Sequence, residues 1–216
     1  MIKNSVCSVI LFFLPLCLFA QKDAKAKEWL DKSSAAFNKA GALSISFTVN
    51  VKDVPNQSAE SFEGLLNLKG LKFHLSTPDN EVWFNGKTQW VLQKAYDEVQ
   101  VSEPSVQEAQ ALNPTIIFSI YKEGCHYRYR GEKTNEKGSK VQEVELTPQA
   151  KENEMTRIVM QIGVSDSMPS QIHIFYKNKI ENVIHINKYQ KNTALTESSF
   201  AFDPKKYPGA EIIDLR

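Results

Sequence analysis

From Ala42 to Val51 the chain alternates without a slip, with Leu43, Ile45, Phe47, Val49 and Val51 at every second place and Ala42, Ser44, Ser46, Thr48 and Asn50 between them. A period of two belongs to an extended strand with one covered face, because successive side chains point to opposite sides of a pleated sheet. A helix cannot use it, since its apolar stripe needs spacings of three and four. The same period returns at Phe62, Leu66 and Leu68, at Leu71, Phe73 and Leu75, and at Val99 and Val101. In the second half it recurs at Tyr127 and Tyr129, Val144 and Leu146, Ile158, Met160 and Ile162, Ile172 and Ile174, and Ile180, Ile184 and Ile186. Turn signals such as Lys137-Gly138 and Asp166 to Pro169 separate these runs. Adjacent strands with short connections make antiparallel meanders, so the chain is expected to be mostly β.

Two segments break the alternation. Ala26, Trp29, Leu30, Ser33, Phe37 and Ala40 fall at helical spacing, and Gly41 follows as a stop. Between Glu103 and Gly124, Pro104 starts a turn with Val106, Ala109 and Leu112 on one side, and Asn113-Pro114 interrupts it. The run TIIFSIY then places Ile116, Ile117, Phe118, Ile120 and Tyr121 around most of a helix, which must therefore be covered on several sides. The stretch NEVWFNGKTQWVL, Asn80 to Leu92, carries Asn85-Gly86 between two apolar runs, a strong hairpin signal. A two-residue turn there pairs Phe84 with Lys87 and Trp83 with Thr88. It sends Val82, Phe84 and Val91 to one face and Trp83, Trp90 and Leu92 to the other, so both faces of this hairpin need cover.

The first residues decide the compartment. Lys3 gives a positive start, Val6 to Leu18 is apolar, and Leu18-Phe19-Ala20 precedes Gln21, which reads as a secretory signal peptide over residues 1–20. The run is shorter than the roughly twenty apolar residues that span a bilayer. The mature chain, residues 21–216, is expected to be exported as a single domain and not lipid-anchored, because Leu16 rather than a small residue precedes Cys17. Without the signal only Cys125 remains, so no intrachain disulfide is expected and stability must come from the core. The formal net charge of the whole chain is +1, and loss of Lys3 brings it to balance. Lys residues are interspersed with Glu and Asp, which speaks against a nucleic-acid partner.

No catalytic constellation is visible. His74, His126, His173 and His185 each alternate with apolar neighbours and form no metal-ligating pair, and Cys125 has no second Cys. Phosphate loops and nucleophile elbows are missing, and carboxylates are scattered. Neither an enzyme, a metal nor a cofactor is expected, although a site assembled in space remains open. The apolar helix in mid-chain and the two-faced hairpin suggest a curved sheet whose concavity is filled by helices, with an ordinary core as the alternative.

At this point the residues resemble a family. The order is a first helix, LSISFTVNV, EGLLNLKGLKFHLSTPDN, the hairpin with NGKTQWVL and DEVQVS, NPTIIFSIY, and finally KNTALTESSFAFDPKKYPGAEIID. It is similar to the periplasmic outer-membrane lipoprotein carrier protein family, LolA, over essentially the whole mature chain. The most specific pieces are Gly86-Lys87-Thr88 with Trp90, Asn113-Pro114, and Asn192 followed by Phe200-Ala201-Phe202, Pro204 or Pro208 and Ile212-Ile213-Asp214.

The resemblance implies an unclosed antiparallel β-barrel with helices as a lid over an apolar cavity that takes lipoprotein acyl chains. It implies a monomeric periplasmic carrier between inner and outer membranes, loaded by an inner-membrane lipoprotein-releasing transporter and unloaded to an outer-membrane acceptor if one is present. A lipid- or lipoprotein-binding sensor or adaptor of the same fold is the alternative. The cavity wall is expected from Phe47, Leu66, Leu68, Phe73, Trp90 and Leu92, from Ile116, Ile117 and Ile120 of the lid, and from Ile158 and Met160. Trp29, Phe37 and Lys69 are expected at the lid. Members of the family often carry Arg-Pro where this chain has Lys69-Gly70, and Lys lacks the planar donor fork of Arg.

Overall fold

The computed structural model describes residues 23–105, 108, 116, 120–122, 124–150 and 152–216. The expected signal peptide lies outside the described residues, as does most of the expected helical stretch between Val106 and Gly124. Of that stretch, Ile120–Lys122 forms a 3-10 turn.

The helix α1 runs Ala24–Ala40. Asp23 caps it by accepting hydrogen bonds from the amides of Lys25 and Ala26 at 3.0 and 3.1 Å, and Gly41 ends it at φ 73°. Its exposed side carries the Lys27–Asp31 and Glu28–Lys32 pairs, four residues apart. Ala26, Leu30, Ser33 and Ser34 are buried.

The strands follow as the alternation leads one to expect. They are β1 (Leu43–Asp53), β2 (Ser58–Lys69), β3 (Lys72–Ser76), β4 (Asn80–Phe84), β5 (Gln89–Gln93), β6 (Glu98–Ser102), β7 (Cys125–Thr134), β8 (Lys140–Pro148), β9 (Met155–Gly163), β10 (Pro169–Tyr176), β11 (Ile180–Lys191) and β12 (Glu211–Asp214). They form one sheet in the order β12-β6-β5-β4-β3-β2-β1-β11-β10-β9-β8-β7. Two meanders, β1 to β6 and β7 to β11, are therefore joined where β1 pairs antiparallel with β11. Ser46 opposes Lys188 but Phe47 opposes Ile186, so Asn187 is an extra residue that bends the sheet at its middle. Among the described residues no pairing joins the terminal strands β12 and β7, and the barrel is unclosed.

The hairpin of β4 and β5 differs in register from a two-residue turn. Phe84 pairs with Gln89 and Trp83 with Trp90, which leaves Asn85 to Thr88 in the loop. The Asn85 side chain shapes it by accepting from the Lys87 and Thr88 amides at 2.9 and 2.8 Å, and Gly86 takes φ 99°. The pairing slips by an even number of residues, so the facial sets stay as expected.

Among the described residues three apolar clusters hold the sheet. On the α1 side, Ala26 and Leu30 meet Tyr127, Val144, Leu146, Ile158, Met160, Ile162, Ile172 and Ile174. Further along the same face, Leu43, Ile45, Leu66, Leu68, Phe73 and Phe84 are buried together, with Phe37 and Ala40 of α1 against them. The third cluster lies on the opposite face, where Trp83, Leu92, Val99 and Val101 are covered by Phe202, Tyr207 and Ala210 of the C-terminal segment. Cys125 is a buried free thiol, and burial pushes its pKa up, which keeps it protonated and inert.

Candidate functional site

Register fixes which expected wall residues share a face. Phe47 opposes Gly64, Ile45 opposes Leu66 and Leu43 opposes Leu68 across β1 and β2. Leu68 opposes Phe73, and Phe73 opposes Phe84. Ile158 and Met160 oppose Ile174 and Ile172 in β10. Ile172 opposes Ile184 in β11, which in turn opposes Val49 in β1. Directly opposed residues point the same way, so Phe47, Leu66, Leu68, Phe73, Ile158 and Met160 all stand on the α1 side of one continuous apolar face.

Trp90 and Leu92 do not. Trp90 opposes Trp83 and Val101, Leu92 opposes Val99, and all belong to the cluster under the C-terminal segment. These two, expected in the cavity wall, share a face with Val99 and Val101, whereas Val82 and Phe84 of the same hairpin stand on the α1 side, beside Phe73 and Leu75. The physical reason is that β4 and β5 are apolar on both faces, and the aromatics at positions 200–207 supply the second cover. Phe202 and Tyr207 both meet the Trp83 indole edge-on, with centroids at 5.5 and 5.8 Å. These C-terminal aromatics were the signal for that cover, since they too needed burial.

The expected lid residues divide in the same way. Trp29 packs against the cluster around Ile158 and Phe37 against the cluster around Phe73. Lys69, expected at the lid, donates its ammonium to the Leu195 carbonyl at 3.2 Å and, with the neighbouring Lys72–Glu197 ion pair, ties down the C-terminal segment. Of the expected lid helix, Ile120 packs on the cluster around Ile158 and Ile116 is half-buried, while Ile117 lies outside the described residues.

What fastens α1 is a set of polar contacts that sequence reasoning missed. Asp23, while capping the helix, also accepts from the Tyr129 amide of β7 at 2.9 Å. The Tyr121 hydroxyl donates to Asp31 at 2.7 Å, so the 3-10 turn and the helix are pinned together. Burial and the Asp31 carboxylate push the Tyr121 pKa well up, which keeps the phenol protonated and donating. The Tyr129 amide, aided by those of Ala26 and Lys25, holds the Asp23 carboxyl below its usual range. Because its folded pKa is depressed, the stability Asp23 contributes is present above about pH 4 and is lost as pH falls through the lowered value. An Asp23→Ser variant keeps a capping hydroxyl but cannot titrate. Its melting temperature is expected to fall less steeply with acid below about pH 4 than that of the parent. Equal slopes for the two proteins would assign the acid sensitivity to other carboxylates.

The apolar face is larger than the helix that covers it. Seventeen residues make a helix about 25 Å long and about 10–12 Å wide, whereas the nine strands that carry this face, β7 to β11 and β1 to β4, spaced about 4.8 Å apart, span roughly 38 Å. The helix packs closest on β7 and β8. Toward β1 to β4 and β11, Phe47, Leu75, Val82, Met168 and Ile186 are only partly buried. The tip of the Phe47 ring lies over Gly64, so close that a Cβ on Gly64 would fall 2.3 Å from it. Elsewhere an open concavity of about 800 Å³ lies where β1, β2 and β11 run out, lined by Val51, Val54, Ala59 and Val183 together with Lys52, Asp53, Glu60 and Glu181.

Two imidazoles serve as partners of carboxylates, His74 reaching Glu81 and His173 reaching Glu181, each at 3.0 Å, while His126 meets the Gln149 side chain at 2.8 Å. Glu81 also meets Lys94 at 3.3 Å. Among the described residues no three His, Cys, Asp or Glu side chains gather as a metal site.

The family model described as "Outer membrane lipoprotein carrier protein LolA" matches residues 16–178. Among solved structures, the chain is similar to an uncharacterized conserved protein from Thermus thermophilus, at 14% identity and TM-score 0.59, over 88% of this chain and 99% of that one. It is also similar to a LolA superfamily protein from Nitrosomonas europaea, at 11% identity and TM-score 0.44, over 82% and 97%. LprF from Mycobacterium bovis matches at 12% identity and TM-score 0.49, over 80% and 96%. No curated protein matches the chain.

Proposed function

Because the chain belongs to the LolA family of outer membrane lipoprotein carrier proteins, we propose that it binds the acyl chains of lipoproteins on the α1 side of the sheet and carries them across the periplasm. The observation that carries this reading is the apolar face that outruns α1, with Phe47, Leu75, Val82 and Ile186 half-buried along it. Transfer of alkyl chain out of water is worth about 0.8 kcal/mol per methylene, so a chain of about fifteen carbons would cost on the order of 12 kcal/mol to leave exposed. An aqueous crossing needs a shelter of this kind. In this reading Phe47, Leu66, Leu68 and Phe73 form one wall, Ile158 and Met160 the other, and α1 with Ile116 and Ile120 the cover.

The action is stoichiometric binding and release, with no covalent step. The source is an inner-membrane lipoprotein-releasing transporter and the destination an outer-membrane acceptor. The N-terminal 1–20 segment directs export and is removed.

Purified protein added to inner-membrane vesicles that carry lipoproteins is expected to bring them into the soluble fraction as a complex of one carrier and one lipoprotein. The soluble complex is detected by gel filtration and immunoblot. Lipoproteins that stay on the vesicles, with carrier free of lipid by mass spectrometry after mild purification from the periplasm, would overturn the reading.

A further inference from the structure

The face turned away from α1 carries a cluster that acyl binding does not use. Arg128 and Arg130 of β7 and Arg157 of β9 converge on one carboxylate, Glu145 of β8, at 3.3, 3.9 and 4.0 Å. Glu145 is 12% exposed, whereas the three arginine side chains are 64, 41 and 44% exposed. One carboxylate cannot neutralise three guanidinium groups. Only the Arg128 contact is short enough to be a hydrogen bond, so Glu145 orients the arginines and leaves most of their N–H donors to solvent. Positive charge on a terminal strand is a common guard against stray strand pairing, which would account for Arg128 and Arg130. It does not account for Arg157, which sits on the interior strand β9 with its guanidinium 3.7 Å from the centre of the Phe175 ring. That contact holds the guanidinium against the ring while the side chain stays 44% exposed.

We propose that Arg128, Arg130 and Arg157 form a docking surface for an acidic segment of a partner protein. Planar forks held in place suit bidentate carboxylate binding, and three of them across adjacent strands match several acidic side chains of one polypeptide. A membrane fits less well, because the exposed large apolar side chains that would enter a bilayer, such as Leu71, Tyr96 and Leu215, lie on other parts of the chain. The surface is on the side of the sheet opposite to the proposed acyl site, so a partner can engage it while cargo is held.

The test uses the full mature chain and a fluorescein-labelled peptide of alternating glutamate and serine, read by anisotropy at low ionic strength. Replacing all three arginines by Ser is expected to weaken binding by about tenfold or more. A control with Lys39, Lys205 and Lys206 each changed to Ser removes as much charge elsewhere and is expected to bind nearly as the parent does. A second variant, Arg128→Lys with Arg130→Lys and Arg157→Lys, keeps the charge on Glu145 and guards against loss of folding; its binding should fall between parent and Ser variant. Equal weakening by the arginine and lysine sets would overturn the proposal. So would binding to phosphatidylglycerol vesicles through the same arginines with the peptide left free. Acyl-probe binding is measured in parallel and should be unchanged in every variant, so a failure of the acyl reading would be seen separately.

Discussion

Ile158→Ala is expected to destabilise the protein by about 2–5 kcal/mol, one of the largest effects of any single truncation in the chain. Ile158 is fully buried on β9, between Leu146 of β8 and Ile174 of β10, in the cluster beneath Ala26 and Leu30 of α1. Neighbours on a hydrogen-bonded sheet cannot collapse into the space left by three carbons, so the cavity persists and its lining loses dispersion contacts. For a domain of this size the melting temperature should drop by roughly 4–20 °C. Because the lesion lies beneath the helix, loosening of α1 should accompany it as faster amide exchange around Leu30. A loss under about 0.5 kcal/mol would mean that the helix does not seat on this cluster.

Trp83→Ala should cost about 3–5 kcal/mol, through a different part of the molecule. Trp83 is buried on the face away from α1, against Phe202 and Tyr207. Its removal leaves those two rings without their common partner, and the C-terminal segment is then held by the buried Leu195 and Phe200, by β12 on β6 and by Lys69 and Lys72. Trypsin should therefore cut at Lys205 and Lys206 well before it degrades the rest of the sheet. Acyl binding by the folded fraction should be retained, because Trp83 does not reach the other face. Loss of acyl binding in a protein that still melts cooperatively would contradict the facial assignment.

The elements were legible because their periods were. Leu43 to Val51 could be nothing but a strand with one covered face, and Ala26 to Ala40 nothing but a helix with a narrow buried stripe. Even the hairpin, read with a turn two residues too short, kept its facial sets, because parity survives a slip of two. What local pattern could not hold was which side of a two-faced strand is turned toward α1. Val82 and Phe84 are as apolar as Trp83 and Trp90, and the choice between them was made by Phe202 and Tyr207, more than a hundred residues away. The Lys69 contact was out of reach for the same reason, since its partner, the Leu195 carbonyl, is a backbone atom with no sequence signature. The Asp23–Tyr129 bond was equally invisible: an Asp before a helix announces a cap, not the strand amide it also holds.

The measurement that bears most directly on the central claim is photo-crosslinking in cells from one position on each face. A photoreactive residue at Phe47, on the α1 side, is predicted to capture lipidated protein, and one at Trp90, on the side covered by the C-terminal segment, is predicted not to. Equal capture at the two positions, or capture at Trp90 alone, would contradict the account.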